Sequence, residues 1–434
     1  MINKELIALQ RATAVGRLSM AACVTVALST APAMAQDNTD NLSREVEQLK
    51  NRIEKIESEK SESASILSEK DVRLTIAGRV NQAFLYAEQG DQNQAFVADN
   101  DGSGSRFELL SEVDYGDWTT GTKFVVGVER NSTDEIKFDD VNNGEEIFVR
   151  KVNWFIESPS AGYLSIGRGD TAAEDVTHVD LSGTSLAGAG SDVDDMAGGL
   201  EFVGNDGNGL ADQSADGLDS DADELDDFFD ALDGSRRSRV YYETPSFGGF
   251  SLAGSLATNE AEDGVQPAFG FKYGSEVGGA EIEAAAAWRQ EQNEDTDDQF
   301  VTGSISALLA SGFNFTFAAG TGDIEDSRAD DPTMLFGKVG YKTDALTAVG
   351  DSAFSFDVYR GENNDAFASP SGDLPSATSL GLSFVQSVDK LATELFVTAR
   401  QYEIDDVFVD SGSGLSERDV DGLTAVITGA RIRF

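Results

Sequence analysis

From Val72 to the C-terminus, apolar side chains recur at every second position in one short run after another. A period of two puts one face of each run in an apolar medium and the other in water, which is the pattern of a half-buried strand. In 123–129, Phe124, Val126 and Val128 share a face opposite Lys123 and Glu129. In 281–289, Ile282, Ala284, Ala286 and Trp288 oppose Glu281, Glu283 and Arg289, and in 313–319, Phe313, Phe315 and Phe317 oppose Asn314 and Thr316. Phe354, Phe356 and Val358 stand against Ser355, Asp357 and Tyr359. One run, 147–156, can be phased either way.

About sixteen such strands are read between 72 and 434, among them 72–86, 104–115, 162–170, 236–245 and 422–434. The connections alternate in length. Those at 114–118, 158–162, 245–249, 277–279, 310–312 and 387–390 are tight. Those at 87–102, 131–144, 171–235, 323–331, 362–375 and 405–422 are long. Short turns at one end and long loops at the other are the habit of a transmembrane β-barrel, as is an even strand count. In hydrocarbon every backbone N–H and C=O must be paired internally, and closing the sheet removes its edges. A soluble β-solenoid would show a fixed repeat, and none is visible. The sequence therefore predicts an all-β fold, a transmembrane antiparallel barrel over 71–434. The last strand fits: Thr424, Val426, Thr428, Ala430, Ile432 and Phe434 form one face, Arg431 and Arg433 the other. An arginine turned to lipid at mid-depth would cost about 2–4 kcal/mol, so both are expected to face water.

The first 70 residues differ. Residues 1–35 read as a secretory signal peptide, with Lys4, Arg11 and Arg17 before a short apolar run and Ala33-Met34-Ala35 at the cleavage site. The only cysteine, Cys23, leaves with it, so no disulfide holds the mature chain. Residues 36–70 read as a short periplasmic helical segment. Within it Leu42, Val46, Leu49, Ile53 and Ile56 make a coiled-coil seam with charged flanks. A segment this short is marginal alone and gains from partners held nearby. The net charge of −46 repels nucleic acid and reads either as an adaptation to salty surroundings or as a cation-attracting field.

The stretch 171–235 breaks the array. It carries eighteen Asp or Glu residues and no Lys or Arg, and a long loop inside a regular array is usually functional or disordered. It reads as a loop that enters the barrel and sets what passes. Within it Asp219, Asp221 and Asp223, with Asp230 eleven positions after the first, partly match a calcium loop, offering oxygens at alternate positions. Glu224 stands where the turn glycine belongs and Asp230 where the bidentate Glu belongs, and a solvated acidic loop is the other reading. No other cofactor is indicated. His178, the sole histidine, has no nucleophile and orienting partner at a recognisable spacing, so no enzyme is expected.

Several fragments then carry a resemblance: Leu74-Thr75-Ile76-Ala77-Gly78-Arg79-Val80-Asn81, Gly104-Ser105-Arg106-Phe107, Val149-Arg150-Lys151, Leu164-Ser165-Ile166-Gly167-Arg168, Arg239-Val240-Tyr241-Tyr242 and the terminal Phe434. In this order the chain, from about Arg73 onward, resembles the Gram-negative general porin family, and its pre-barrel segment looks like that of trimeric anion-selective porins. The resemblance implies a homotrimer of sixteen-stranded barrels in the outer membrane, among lipid and lipopolysaccharide. It implies passive diffusion of ions and small hydrophilic solutes. It further implies that the third external loop bends inward, its acidic residues facing wall arginines. By position the wall residues are Arg79, Arg106, Arg150, Arg168 and Arg239, and the loop residues Glu174, Asp175 and Asp180. The insert is longer and more acidic than the family's, so the correspondence stops at about Ser191. The acidic surplus predicts cation preference. A porin selective for phosphate-like anions or sugars, and a structural tether or adhesin barrel, are the competing readings.

Overall fold

A computed structural model describes residues 64–67, 72–138, 144–204, 210, 223–258, 264–292, 297–325, 330–363, 365–410 and 415–434. The signal peptide and the coiled-coil seam lie outside the described residues. One antiparallel sheet closes into a barrel of sixteen staves. They are β1 (Val72–Gln89), β2 (Gln92–Asp99 and Arg106–Tyr115), β3 (Trp118–Arg130), β4 (Glu145–Ser158), β5 (Gly162–Asp170), β6 (Arg236–Glu243), β7 (Phe250–Thr258) and β8 (Val265–Val277). Then follow β9 (Ala280–Gln292), β10 (Asp297–Leu308), β11 (Phe313–Asp323), β12 (Thr333–Thr343), β13 (Ser352–Glu362), β14 (Ser376–Val388), β15 (Thr393–Asp405) and β16 (Leu423–Arg433). Among the described residues no helix is long and apolar enough to cross a membrane.

Closure is made by β1 and β16, in register from Arg79 opposite Arg433 to Gln89 opposite Leu423. Phe434 then exchanges both backbone hydrogen bonds with Gly78, at 2.8 and 3.0 Å. Below it Ala64–Leu67, part of the stretch expected to be helical, is instead a short strand that pairs with the start of β1 and continues the row of β16. A Cβ at Gly78 would come within 2.7 Å of the Phe434 ring and 2.8 Å of the Arg106 carbonyl. Gly78→Val is therefore expected to loosen the closing seam by about 1–3 kcal/mol, read as a lower melting temperature of the folded barrel on heat-modifiability gels.

The alternation holds. Phe124, Val128, Phe313, Phe315, Phe317, Phe354, Phe356, Ile432 and Phe434 are exposed on the outside, while Asn314, Thr316, Ser355, Asp357, Tyr359 and Arg431 are buried inside. The ambiguous run 147–156 is explained by a β-bulge. Val125 pairs with Lys151 but Val126 with Val149, so Arg150 is the extra residue. The apolar outward phase thus changes from Ile147 and Val149 to Val152 and Trp154, as an inserted residue requires.

One connection departs from expectation. The long loop expected at 87–102 is instead a tight turn after Gln89, with Gly90 at φ 54°. The second stave is then interrupted in mid-wall, between Asp99 and Arg106. The Asn81 carboxamide donates to the carbonyls of Asn100 and Ser103, and the Ser105 N–H donates to Asp99 at 2.9 Å. These bonds fold the interruption inward and satisfy its backbone.

Candidate functional site: a charged bore narrowed by the insert

The described part of 171–235 runs inside the barrel. Its backbone N–H groups at Ala172, Val179 and Leu181 donate to the hydroxyls of Ser255, Ser304 and Ser306 on β7 and β10, at 2.9, 3.2 and 3.0 Å. Thr184 bonds Ser355 of β13 at 2.8 Å. Arg400 and Tyr402 of β15 donate to the carbonyls of Gly188 and Val193. The chain returns past Tyr359, whose hydroxyl donates to the Asp230 carbonyl, and closes on itself where Gly234 donates to Ala173. Short polar wall residues thus receive a segment with few backbone partners of its own, as buried backbone groups demand.

The insert is more than an acidic plug. Leu186, Met196, Leu200, Phe202, Phe228 and Phe229 are buried and join inward-facing Leu85, Phe336, Tyr359, Tyr402 and Ile427 in one apolar cluster. Phe229 packs edge-on against Tyr402, ring centroids 5.2 Å apart. Burying a side chain of this size contributes roughly 1.5–3 kcal/mol, so apolar packing fixes the insert to one side of the bore. Its distal part meets the last long connection, where Asp421 donates to the Val203 carbonyl and Gly204 bridges Val420. Carboxylates gather around the insert: Asp134 neighbours Asp226 and Glu224, Asp194 neighbours Asp192 and Asp195, and Glu201 and Glu224 share Lys137 at 2.8 and 2.6 Å.

The opposite wall carries arginines. Arg79 and Arg106 are register partners on the inner face. Arg79 donates to the Gly104 carbonyl at 3.1 Å, so the inward interruption of β2 positions it. Arg106 pairs with Glu108 at 3.0 Å, and Arg150, aimed inward by its bulge, lies 3.6 Å from Glu129. Arg431 bonds Ser103 and Glu394. Arg79, Arg106, Arg150 and Arg431 lie near enough to feel one another's charge.

Other expected site residues fall elsewhere. Arg168 pairs with Val152 on the outer face and donates to the Val149 carbonyl. It belongs outside the bore, on the same outer face as Ile166 two residues before it, and the flanking Gly167 and Gly169 leave that phase unmarked in the sequence. Arg239 does point inward, but its guanidinium is taken up by the carbonyls of Asp170 and Gly167 and the Ser165 hydroxyl, bracing β5 against β6. Asp180 does not face the arginines. It is pinned 2.6 Å from Lys338 of β12, with Asp180 5% and Lys338 0% exposed. Lys338 holds its carboxyl below the usual range against the opposing effect of burial. Glu174 and Asp175 do sit at the insert's pore-side foot, where Glu174 lies 3.4 Å from Arg236. Burial and the neighbouring Asp175 push Glu174 up to about 8. Of the calcium candidates, Asp219 and Asp221 lie outside the described residues. Asp223 accepts from the Leu210 N–H, and Asp230 from the Leu232 N–H.

His178 is a structural cation. Its Nε2 lies 2.6 Å from Asp192 and its Nδ1 3.6 Å from Asp175. Burial disfavours the charged imidazole, yet Asp192, Asp175 and Asp233 outweigh it and raise the pKa. Sequence reasoning missed Lys338 and the fully buried Arg400–Asp357 pair at 2.7 Å, since a lone inward charge on a strand gives no sign of its partner.

A closed barrel, apolar outside and charged within, defines a channel that crosses an outer membrane by strands. The family model described as Gram-negative porin matches residues 20–406, and the chain belongs to that family. Porins are diffusion channels of the outer membrane, not enzymes. Among solved structures the chain is similar to an anion-selective porin from Comamonas acidovorans, with 16% identity over 84% of this chain and 100% of that one, TM-score 0.54. It is also similar to in-vitro folded OmpT of Vibrio cholerae, 13% identical over 86% and 100%, TM-score 0.51. A third is Salmonella typhi OmpF in complex with daunomycin, 13% identical over 86% and 100%, TM-score 0.50. These likenesses are of fold. A search of curated protein sequences finds no match.

Proposed function

We propose that the chain forms a passive, water-filled pore for ions and small hydrophilic solutes, with a preference for cations, and that it works as a homotrimer among lipid and lipopolysaccharide. The observation that carries the reading is the division of the bore. An insert without Lys or Arg lines one side, and Arg79, Arg106 and Arg150 line the other. Opposed charges across a narrow aqueous gap orient polar solutes and tune ion preference. The wall cations are largely matched by Glu108, Glu129 and Glu394, whereas the insert's carboxylates outnumber their partners. Burial holds part of that surplus protonated near neutral pH, Glu174 being pushed up to about 8, and the ionised remainder is what selects cations.

A sugar track would need accessible aromatics. The inward row Phe155, Tyr163 and Tyr241 is instead a support for the insert's base, with Phe155 5% and Tyr241 7% exposed. The test is the reversal potential across a bilayer in a potassium chloride gradient. Wild type should reverse toward the potassium potential, less so at higher salt, because screening acts over about 8 Å at physiological strength. Arg106→Ala should raise the potassium-to-chloride permeability ratio by up to about sevenfold, as one charge about 7 Å from an ion is worth about 0.6 kcal/mol in water and acts with opposite sign on the two ions. A wild-type channel that reverses toward chloride sinks the cation preference.

A further inference from the structure

We propose a divalent-cation site, fit for calcium, at the pore-side foot of the insert, formed by Asp170, Glu174 and Asp175. It goes beyond the diffusion reading, and the binding experiment below does not depend on conductance. One carboxylate oxygen from each residue lies within 4.8 Å of the others. That is about the diameter of a calcium coordination sphere, whose oxygens lie 2.3–2.6 Å from the ion. The second, independent observation is the state of the buried oxygens. Glu174 is 5% exposed and its Oε2 has no hydrogen-bond donor; the Asp170 side chain is 40% exposed, but its buried Oδ1 also has none. Their other oxygens are engaged, Glu174 Oε1 by Arg236 and Asp170 Oδ2 by Lys151. A buried carboxylate oxygen without a donor is costly, and a hard cation is the ligand that relieves two at once. Asp175, largely exposed in the bore, completes the trio from the water side, leaving the remaining coordination positions to water.

The backbone presents this geometry. Asp175 has φ 57°, in the left-handed region, which turns the chain sharply between Glu174 and Val176. Glu174 itself is held by a bridge to Gly234, and its N–H donates to Thr171. The three carboxylates are thus delivered by the end of β5 and the first turn of the insert. Lys151, Arg236 and His178, the last shared with Asp192, already stand against the three carboxylates, all of which must be ionised for a divalent ion to bind. These cations and only three protein ligands place the affinity near that of weak extracellular calcium modules, about 10⁻⁴–10⁻³ M.

The experiment titrates calcium chloride into the full-length, membrane-extracted protein by calorimetry, beside Glu174→Gln and Asp175→Asn. Glu325→Gln, in another acidic loop, is the control. Asp175 is exposed and its replacement conservative, so this variant remains informative if Glu174→Gln fails to fold. The expected result is a sub-millimolar to millimolar site in wild type and control, weakened at least tenfold in the two foot variants. Equal binding in all four proteins, which would mean calcium on the general acidic surface, or no binding in wild type, overturns the site.

Discussion

Replacing Lys338 by Met is expected to free the insert from its wall. Lys338 and Asp180 form a pair with almost no exposure, and Asp180 also accepts from Ser182 and Thr316. Removing one partner of such a pair leaves an uncompensated buried charge and costs about 3–5 kcal/mol. The sheet has sixteen staves of backbone bonds to spread a local loss, whereas this stretch of the insert is held by a handful of contacts. The cost should therefore appear as opening of the insert and not as loss of the barrel. The variant should show larger, noisier single-channel steps and faster protease cleavage within 171–235, with unchanged barrel melting. Lys338→Met with Asp180→Leu should recover a quiet channel, because an apolar pair of similar volume replaces a buried ion pair at little cost. Quiet wild-type steps in the single variant would show that the pair does not anchor the insert.

The second large effect is with pH. Burial raises several carboxyl groups of the insert and its neighbouring loop: Asp134 to about 8, helped by Asp101, Asp226 to about 7, helped by Asp227, Asp233 to about 7, and Glu174 to about 8. In the unfolded chain such groups titrate near 4. The folded insert therefore holds more protons than the unfolded one between about pH 4 and pH 8, and its stability falls as pH rises through that window. His178 acts with the same sign. Its raised pKa contributes stability that is complete below about 6.5, the unfolded value, and is lost as pH rises through the folded value. Asp180, held low, contributes fully above about pH 5 and does not offset the trend from there upward. Hydrogen exchange within 171–235 should quicken at least tenfold, beyond the intrinsic base-catalysed rate, from pH 5 to pH 9. Each unit of linked pKa shift is worth about 1.4 kcal/mol. Asp134→Asn with Asp226→Asn should flatten the dependence. A steady or slowing corrected rate would contradict the assignment.

Much of the barrel was legible because its physics is local. Lipid on one side and water on the other impose a period of two, and Phe124, Phe315 and Phe356 declare the outer face unaided. The break in β2 was not legible, because two turn signals compete. Gln89-Gly90-Asp91-Gln92 and Asn100-Asp101-Gly102-Ser103-Gly104 each read as a reversal, and only pairing with β1 decides that the first reverses the chain and the second merely interrupts a strand. The bulge that turns Arg150 inward shows in sequence only as a doubtful phase. The insert's path depends on partners such as Lys338, 158 positions from Asp180, and nothing local announces them. Its apolar core was written plainly in Leu200, Phe202, Phe228 and Phe229. In the sequence these apolar residues are spread among far more numerous acids, so their periodicity does not stand out.

The insert's carboxylates and the wall arginines face one another across the bore, and that arrangement has a consequence for traffic. A field set across the direction of flow does no work on an ion moving along the axis, but it draws cations and anions toward opposite walls. The two kinds of ion then travel in separate lanes, and a solute bearing both charges fits the gap only when turned to match.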